Sequence, residues 1–338
     1  MNTYKDIIAH FKKKTILVVG DIMLDRHIVG SVSRISPEAP VPVVLEQQHT
    51  QTVGGAANVG NNLSTLGARV LQTGIVGDDP EGEILRQRLK KKGVDISGIF
   101  SDKDYHTVTK TRVIAQHQQV VRIDRERVGV ALNISRIKTF IAHHVGDVDA
   151  VIISDYGKGL ITSDLIHVIC SQAKKNKVKV LVDPKVEHFN YYRGVTSITP
   201  NRREAENAIR NLKIRHDAGR KLNIRSDTLN TNEEINRAGQ ELLKYLELES
   251  LLITLGEHGM RLFEKNKKPC SIPTHAKDIY DVTGAGDAVI SVFTLALVAG
   301  ATKKQAAQLA NIAAGIVVGK LGAVAVTGPE LIKAARDI

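Results

Sequence analysis

Tryptophan is absent from the 338 residues, cysteine occurs twice, methionine three times, and aromatic side chains make up only 4% of the chain. Cys170 and Cys270 lie far apart in unlike surroundings. Two thiols cannot build a disulfide framework, and no C-x-x-C or Cys/His cluster offers a zinc site. None of the 12 histidines falls in an H-x-x-x-H or H-E-x-x-H pattern. So few aromatics argue against a base-stacking platform for nucleic acid. Long apolar runs are missing too. The longest uncharged one, Ala288 to Ala301, falls short of the roughly 20 residues a spanning helix needs. Near the start, lysines precede Thr15-Ile-Leu-Val-Val19, but this run is short and Asp21 and Asp25 follow at once. That is not the build of a signal peptide, so a cytoplasmic protein without membrane contact is expected. The two common nucleotide motifs are also lacking. Gly315 to Lys320 is one residue short of a P-loop and no Ser or Thr follows, and no G-x-G-x-x-G follows the first strand-like run.

What is present is the balance of a soluble globular chain, with 42% apolar and 25% charged residues. The net charge of +11 points to anionic partners, with nucleic acid, acidic membrane surfaces and phosphorylated small molecules all open. The length fits two domains, or one large α/β unit with an excursion. Short β-branched runs alternate with helical periods. Ile16–Val19, Val70–Val76, Ala150–Ser154, Val178–Asp183, Ser197–Pro200 and Leu251–Thr254 read as strands, and Gly259–Phe263 as half a hairpin. Gly54–Leu66, Pro80–Lys92, Thr162–Lys175, Glu233–Leu246, Gly284–Ala299 and Lys303–Gly319 read as helices. Apolar strands separated by helices predict a mostly parallel sheet covered on both faces. Asp21, Asp155 and Asp183 end strands on one edge, where ligands of such sheets gather; each could equally cap the next helix. Ile28–Val44, with three prolines, and Thr107–Asp124, turning at His117, break the alternation and read as strands of a small separate sheet. The basic tract 211–227, with Arg215, Arg220, Lys221 and Arg225, reads as a solvated surface insertion.

The most informative segment is Asp281-Val-Thr-Gly-Ala-Gly-Asp287, followed at once by an apolar helix. Small residues let a ligand approach the backbone at the positive end of a helix, which makes an anion hole. An aspartate in that first turn can accept a proton from a hydroxyl beside a bound phosphate. A plain tight turn with a first-turn acid is the other reading.

Val282–Asp287 resembles the C-terminal signature of the ribokinase-type carbohydrate kinases, Gly54-Gly-Ala-Ala-Asn58 the N-terminal one, and Asn201 with Glu204 the N-x-x-E motif. The three stand in family order over about Thr15 to Pro329. Within the family, Ser33-Arg-Ile-Ser-Pro-Glu-Ala-Pro-Val-Pro-Val-Val44 resembles a stretch of the D-glycero-β-D-manno-heptose 7-phosphate kinases, with Thr109-Lys-Thr-Arg112, Ser154-Asp-Tyr-Gly-Lys-Gly159 and Ile279-Tyr-Asp281 in support. Many of these kinases are fused to a nucleotidyltransferase, whose H-x-G-H this chain lacks; the resemblance is to the kinase part alone.

The resemblance implies a ribokinase-like three-layer α/β/α sandwich. Residues 1–338 would form one kinase domain, with a β lid from about 26–48 and 105–125 inserted in it. It implies an ATP- and Mg²⁺-dependent kinase, with K⁺ as a further cofactor, making the heptose 1,7-bisphosphate on the way to ADP-heptose and lipopolysaccharide. Asp287 would be the catalytic base, with Gly284, Ala285 and Gly286 as the anion hole. Asn201, Glu204, Thr254, Gly256, Gly259 and Asn311 would face the nucleotide, with Glu204 holding Mg²⁺ through water. Asp281 and Thr283 would bind the monovalent cation. Asp21, Gly54, Gly55 and Asn58 would face the sugar hydroxyls, with the strand-end Asp155 beside them. Arg34, Lys110, Arg112, Arg122, Lys158 and Lys185 are the cations available for the substrate's own phosphate; of these, Lys110, Arg112 and Lys158 are favoured. Asn201 and Glu204 could instead cap a helix, Gly256 and Gly259 could be turn residues, and Asn311 could be exposed. A homodimer through the lid is expected. Fructose 1-phosphate, ribose or a keto-deoxy sugar acid as substrate, and a non-catalytic anion or nucleic-acid binder, are the alternatives.

Overall fold

The computed structural model describes residues 3–116, 118–126, 134–215, 222, 224, 228–275, 279–320, 322 and 324–337. After α1 (Tyr4–Ala9), β1 (Thr15–Gly20) enters a large sheet. The single residue Asp21 then turns the chain into a second sheet, where β2 (Ile22–Ile35) and β3 (Pro42–Gly55) pair antiparallel. β3 runs directly into α2 (Ala56–Thr65), and β4 (Arg69–Gly77), α3 (Pro80–Lys91) and β5 (Asp95–Asp102) extend the large sheet. β6 (Val108–Ala115) and β7 (Gln118–Arg125) complete the second sheet in the order β3-β2-β6-β7. The chain then continues through α4 (Ser135–His144), β8 (Ala150–Ser154), α5 (Ser163–Asn176), β9 (Lys179–Asp183), β10 (Ser197–Ile198), α6 (Arg202–Arg215), α7 (Asn232–Tyr245) and β11 (Ser250–Thr254). β12 (Met260–Glu264), β13 (Cys270–Ile272), α8 (Ala285–Val298), α9 (Lys303–Val318) and α10 (Gly328–Ala334) follow.

The nine-stranded order is β13-β12-β11-β10-β9-β8-β1-β4-β5, parallel from β11 to β5, with β12 and β13 antiparallel. Strands buried on both faces must be apolar throughout, and β1 shows why: Ile16 and Val18 join the core under α2, α8 and α9, while Leu17 and Val19 join the core under α4 to α7. The ribokinase-like α/β/α architecture expected from the sequence is present. The order reverses between β1 and β8, and the loops leaving two neighbouring strands part there to open a crevice.

Some boundaries differ from the sequence reading. Gly54 and Gly55 end β3 instead of opening a helix. A Cβ on Gly54 would stand 2.4 Å from an Asp25 carboxylate oxygen, and Gly55 takes φ 57°, a left-handed value that glycine tolerates. β5 and α4 are additions to the sequence reading, as are the six-residue α1 and the seven-residue α10, which are too short to show a period. In the basic tract, 211–215 is the last turn of α6, and Leu222 and Ile224 are buried instead of solvated. Arg220, Lys221 and Arg225 lie outside the described residues, as does His117 of the expected turn.

The second sheet has two unlike faces, because directly paired residues point the same way. Asp25, Lys110 and Asp124 form one cross-strand row and His27, Arg112 and Arg122 the next, a charged face. Arg26, Thr111 and Ile123, then Ile28, Val113 and Val121, alternate with them on the opposite, mostly apolar face. The start of α3 anchors this sheet: Glu81 accepts from Arg26 of β2 at 2.7 Å and from Arg125 of β7 at 3.2 Å. Asp79 caps α3 at the Gly82 N–H and accepts from both the N–H and the hydroxyl of Thr107, where the chain re-enters the second sheet. Asp79→Ala removes a helix cap and two hydrogen bonds together. It should lower unfolding free energy by about 2 kcal/mol in urea titrations, with an unchanged m-value.

Candidate active site

Four elements converge on Asp287. It lies in the first turn of α8 and is buried; its Oδ2 accepts from Asn58 Nδ2 of α2 at 2.7 Å, and its Oδ1 from the Tyr156 phenol after β8 at 2.9 Å. Burial pushes its carboxyl up to about 6 against the pull of those two donors, and Asp25 of β2 adds a like charge. Asp21, at the corner between the sheets, is also buried, and its Oδ2 accepts from the backbone N–H groups of Tyr156 at 3.0 Å and Lys158 at 3.1 Å. Burial, then repulsion from Asp155, raises Asp21 to about 6 as well.

Asp155, expected on the sugar, turns inward instead. Its carboxylate is closed off from solvent and takes hydrogen bonds from Gly157 N–H at 2.9 Å, His188 Nδ1 at 2.7 Å and the Tyr192 hydroxyl at 2.7 Å. It anchors the 156–158 loop and is not free to take a hydroxyl.

At the glycine-rich turn, Gly284 takes φ 81° as the cap of α8. Ala285 spends its N–H on the Val282 carbonyl at 3.3 Å, so the first-turn amides left without an intrahelical acceptor are those of Gly286 and Asp287. A side chain at Gly286 would meet nothing within 4 Å, so the backbone there faces open space. That space is a cleft of about 470 Å³, lined by Asn201, Thr254, Gly256, Gly259, Asn311 and Gly286 among others. Five of the six residues expected at a nucleotide thus share one cavity; Glu204 is not on its wall. Gly256 and Gly259 both take positive φ, and a Cβ on Gly259 would stand 2.1 Å from the Ile272 carbonyl oxygen. Asn311 is buried, not exposed, and donates to the Pro273 carbonyl at 2.6 Å.

Asn201 and Glu204 exchange hydrogen bonds, each side chain accepting from the other's backbone N–H at 2.9 and 2.8 Å, which is a helix cap for α6. The capping reading is therefore realised, and it holds Glu204 at the edge of the crevice. Asp183 stands at the end of β9. Burial first, then the charges of Glu204, Asp287 and Asp155, push its carboxyl well above the usual range. Glu204 is raised by burial despite the nearby Lys185. The Lys185 side chain packs against Gly157 of the loop after β8, where Glu204 feels its charge. Burial would raise Asp281, but hydrogen bonds from the Thr283 and Gly322 amides hold it below the ordinary carboxylate value.

The charged face of the second sheet supplies the remaining cations. Arg112 pairs with the buried Asp25 at 2.7 Å. Burial, then the like charge of Lys158, lowers the amine of Lys110. Lys158 is paired with Glu126 and Arg122 with Asp124. Arg34 is exposed, nine residues along β2 from Asp25, which at about 3.3 Å per residue is a span of up to about 30 Å along the strand. It is not brought to this site within the chain. Asp25 and Tyr156 were passed over in the sequence, and Asp183 was named only as a strand-end acid. Tyr156 sat inside the Ser154–Gly159 stretch, whose signal was read at its Asp and Lys.

The sequence profile described as pfkB family carbohydrate kinase matches residues 13–329. The chain is 44% identical over 318 residues to the bifunctional protein HldE of Geotalea uraniireducens (strain Rf4), covering 94% of this chain and 62% of that protein. It is 40% identical to the bifunctional protein HldE of Haemophilus influenzae (strain PittEE), covering 96% of this chain and 64% of that one. The chain thus spans less than two thirds of the length of these relatives. The fold is shared with Arabidopsis thaliana ribokinase complexed with ribose and ATP, with TM-score 0.75, 18% identity and coverage of 96% and 99% of the two chains. It is shared too with Escherichia coli phosphofructokinase-2 in complex with potassium, with TM-score 0.74, 16% identity and coverage of 96% and 98%.

Burial of Asp287 has a consequence for stability. Its folded value of about 6 lies above the roughly 4 of an unfolded chain, so between these pH values the native state binds more protons. Stability from this group therefore falls as pH rises through that window, and the full cost is present above it. Asn at 287 carries no charge to desolvate, and its amide can donate to the phenol oxygen while accepting from Asn58. Asp287→Asn should be more stable than wild type by about 1–3 kcal/mol at pH 8, the gain closing towards pH 4, in urea titrations at the two pH values.

Proposed function

The chain belongs to the pfkB family of carbohydrate kinases, and from that membership we propose that it transfers the γ-phosphoryl of ATP to the anomeric hydroxyl of D-glycero-β-D-manno-heptose 7-phosphate, giving the 1,7-bisphosphate. The general activity, a phosphotransferase acting on a sugar hydroxyl, comes with the family. The observation that carries the phosphoryl transfer is the position of Asp287, a buried carboxylate in the first turn of α8, beside the open cleft over Gly286. The HldE relatives favour the heptose, and so does the Ser33–Val44 stretch.

In this reading the triphosphate occupies the cleft, with its terminal phosphoryl at the Gly286 and Asp287 amides and the positive end of α8. Asp287 accepts the hydroxyl proton as the acceptor oxygen attacks. Asp21, Asn58 and the Gly54-Gly55 backbone orient the sugar. Asp183 feels the charge of Glu204, and these two acids would supply oxygens to Mg²⁺, which keeps several waters and needs one or two acids. Bound there, the ion would neutralise triphosphate charge. Asp281, ionised and held by two amides, suits K⁺ with Thr283 beside it. Lys110, with Lys158 and Arg112 near it, receives the substrate's own phosphate, while Lys185 serves the triphosphate side. The second sheet acts as a lid inserted in one kinase domain, and its charged face closes over the sugar to exclude water.

Replacing the base should be severe: Asp287→Asn is expected to lower kcat by about 10²-fold or more in a coupled ADP-release assay. The same assay over sugar 7-, 6- and 1-phosphates should give the highest kcat/KM with the heptose 7-phosphate. Higher turnover of ribose or fructose 1-phosphate would reassign the substrate. The exposed apolar side chains on the outer face of the lid, Val121 and Ile123, pair with a second copy. Light scattering at micromolar concentration should give a dimer, and a monomer would overturn the pairing.

A further inference from the structure

Tyr156 holds two of the buried carboxylates of the crevice. Its phenol donates to Asp287 Oδ1 at 2.9 Å, and its backbone N–H donates to Asp21 Oδ2 at 3.0 Å. From this geometry we infer that Tyr156 is a positioning residue for phosphoryl transfer, whose phenol fixes the Asp287 carboxylate and favours its ionised, proton-accepting form. The inference rests on Asp287 being the base.

Three features make the contact a built one. The loop that carries Tyr156 is pinned from below, because Gly157 donates to Asp155, and Asp155 is held in turn by His188 and Tyr192. Burial, then the neighbouring Asp287, pushes the phenol well above its ordinary range, so it remains a donor wherever the base is ionised. The second oxygen of Asp287 is held by Asn58, so two donors on two elements fix the plane of the carboxylate. Each carboxylate oxygen keeps another lone pair. The proton leaving the acceptor hydroxyl therefore has a place on Asp287, as the new oxygen–phosphorus bond forms and the bridging bond to ADP breaks. The charged groups facing Asp287 are Asp25 from β2 and Asp183 from the end of β9, both acids, with Arg112 already paired to Asp25. Against two like charges, the donors from Tyr156 and Asn58 are what favour the ionised base.

A hydrogen bond that favours the charged form lowers a carboxyl's pKa, so losing it raises the pH at which the base becomes active. For Tyr156→Phe, the acid limb of the pH profile of kcat/KM should move up by about one pH unit, with the KM for ATP within about two-fold of wild type. Incorporating 3-fluorotyrosine at position 156 makes the phenol a stronger donor without changing its shape, and the limb should move down. Acid limbs that stay at the wild-type pH in both proteins would overturn the inference. If Tyr156→Phe fails to bind ADP in calorimetry, the fluorotyrosine protein alone decides between the two outcomes. Wild-type turnover in Asp287→Asn would instead remove the base assignment itself; loss of turnover there with unshifted limbs at position 156 would remove only the role of the tyrosine.

Discussion

Everything at the crevice depends on holding carboxylates where water is scarce. Asp21, Asp155, Asp183 and Asp287 crowd the edge where the strand order reverses, and burial raises Asp21, Asp183 and Asp287. Desolvation and like-charge repulsion both oppose this arrangement. The fold offsets part of the cost with directed donors: backbone amides for Asp21, an amide side chain and a phenol for Asp287, an imidazole and a hydroxyl for Asp155. What remains is a reservoir of negative potential that cations relieve and that a proton from a hydroxyl can enter. Strain of this kind is expected at a reactive centre and is carried by the stability of the rest of the chain.

The parts of the molecule are arranged around that edge. The large sheet gives a rigid floor, because each strand is packed from both sides by separate apolar layers. α8 brings Asp287 to the floor with an almost entirely buried helix behind it, so its first turn cannot drift. The second sheet leaves the floor through a single residue, Asp21, which ties the orientation of that sheet to the site. Glu81 and Asp79 at the start of α3 hold its outer strands and its re-entry point. Its charged rows therefore face the crevice and its apolar rows face away.

Much of this could be read along the chain. The apolar strand runs and the glycine-rich turn before an apolar helix announced a parallel sheet and a helix start with open backbone, because both signals are local. The acids at strand ends were visible for the same reason. Asp155 shows the limit. Its place on the edge was correct, but whether its carboxylate faces out or in depends on His188 and Tyr192, more than thirty residues away. Arg34 shows another. A motif can lie next to a site in sequence while a long strand carries it up to about 30 Å along. Tyr156 had no legible signal, since a tyrosine beside a glycine in a loop reads as packing until its hydroxyl is seen against Asp287.

The sequence by itself determined the period of each strand and helix, the positions that tolerate only glycine, and the supply of acids and bases. Those depend on neighbours within a few residues, where steric and hydrogen-bonding rules act directly. Only the tertiary structure decided which acids face the cleft, which cations are spent in pairs, and that one loop after β8 holds both Asp21 and Asp287. Such choices depend on burial and on partners distant in sequence, and a carboxylate's chemistry is set by what surrounds it.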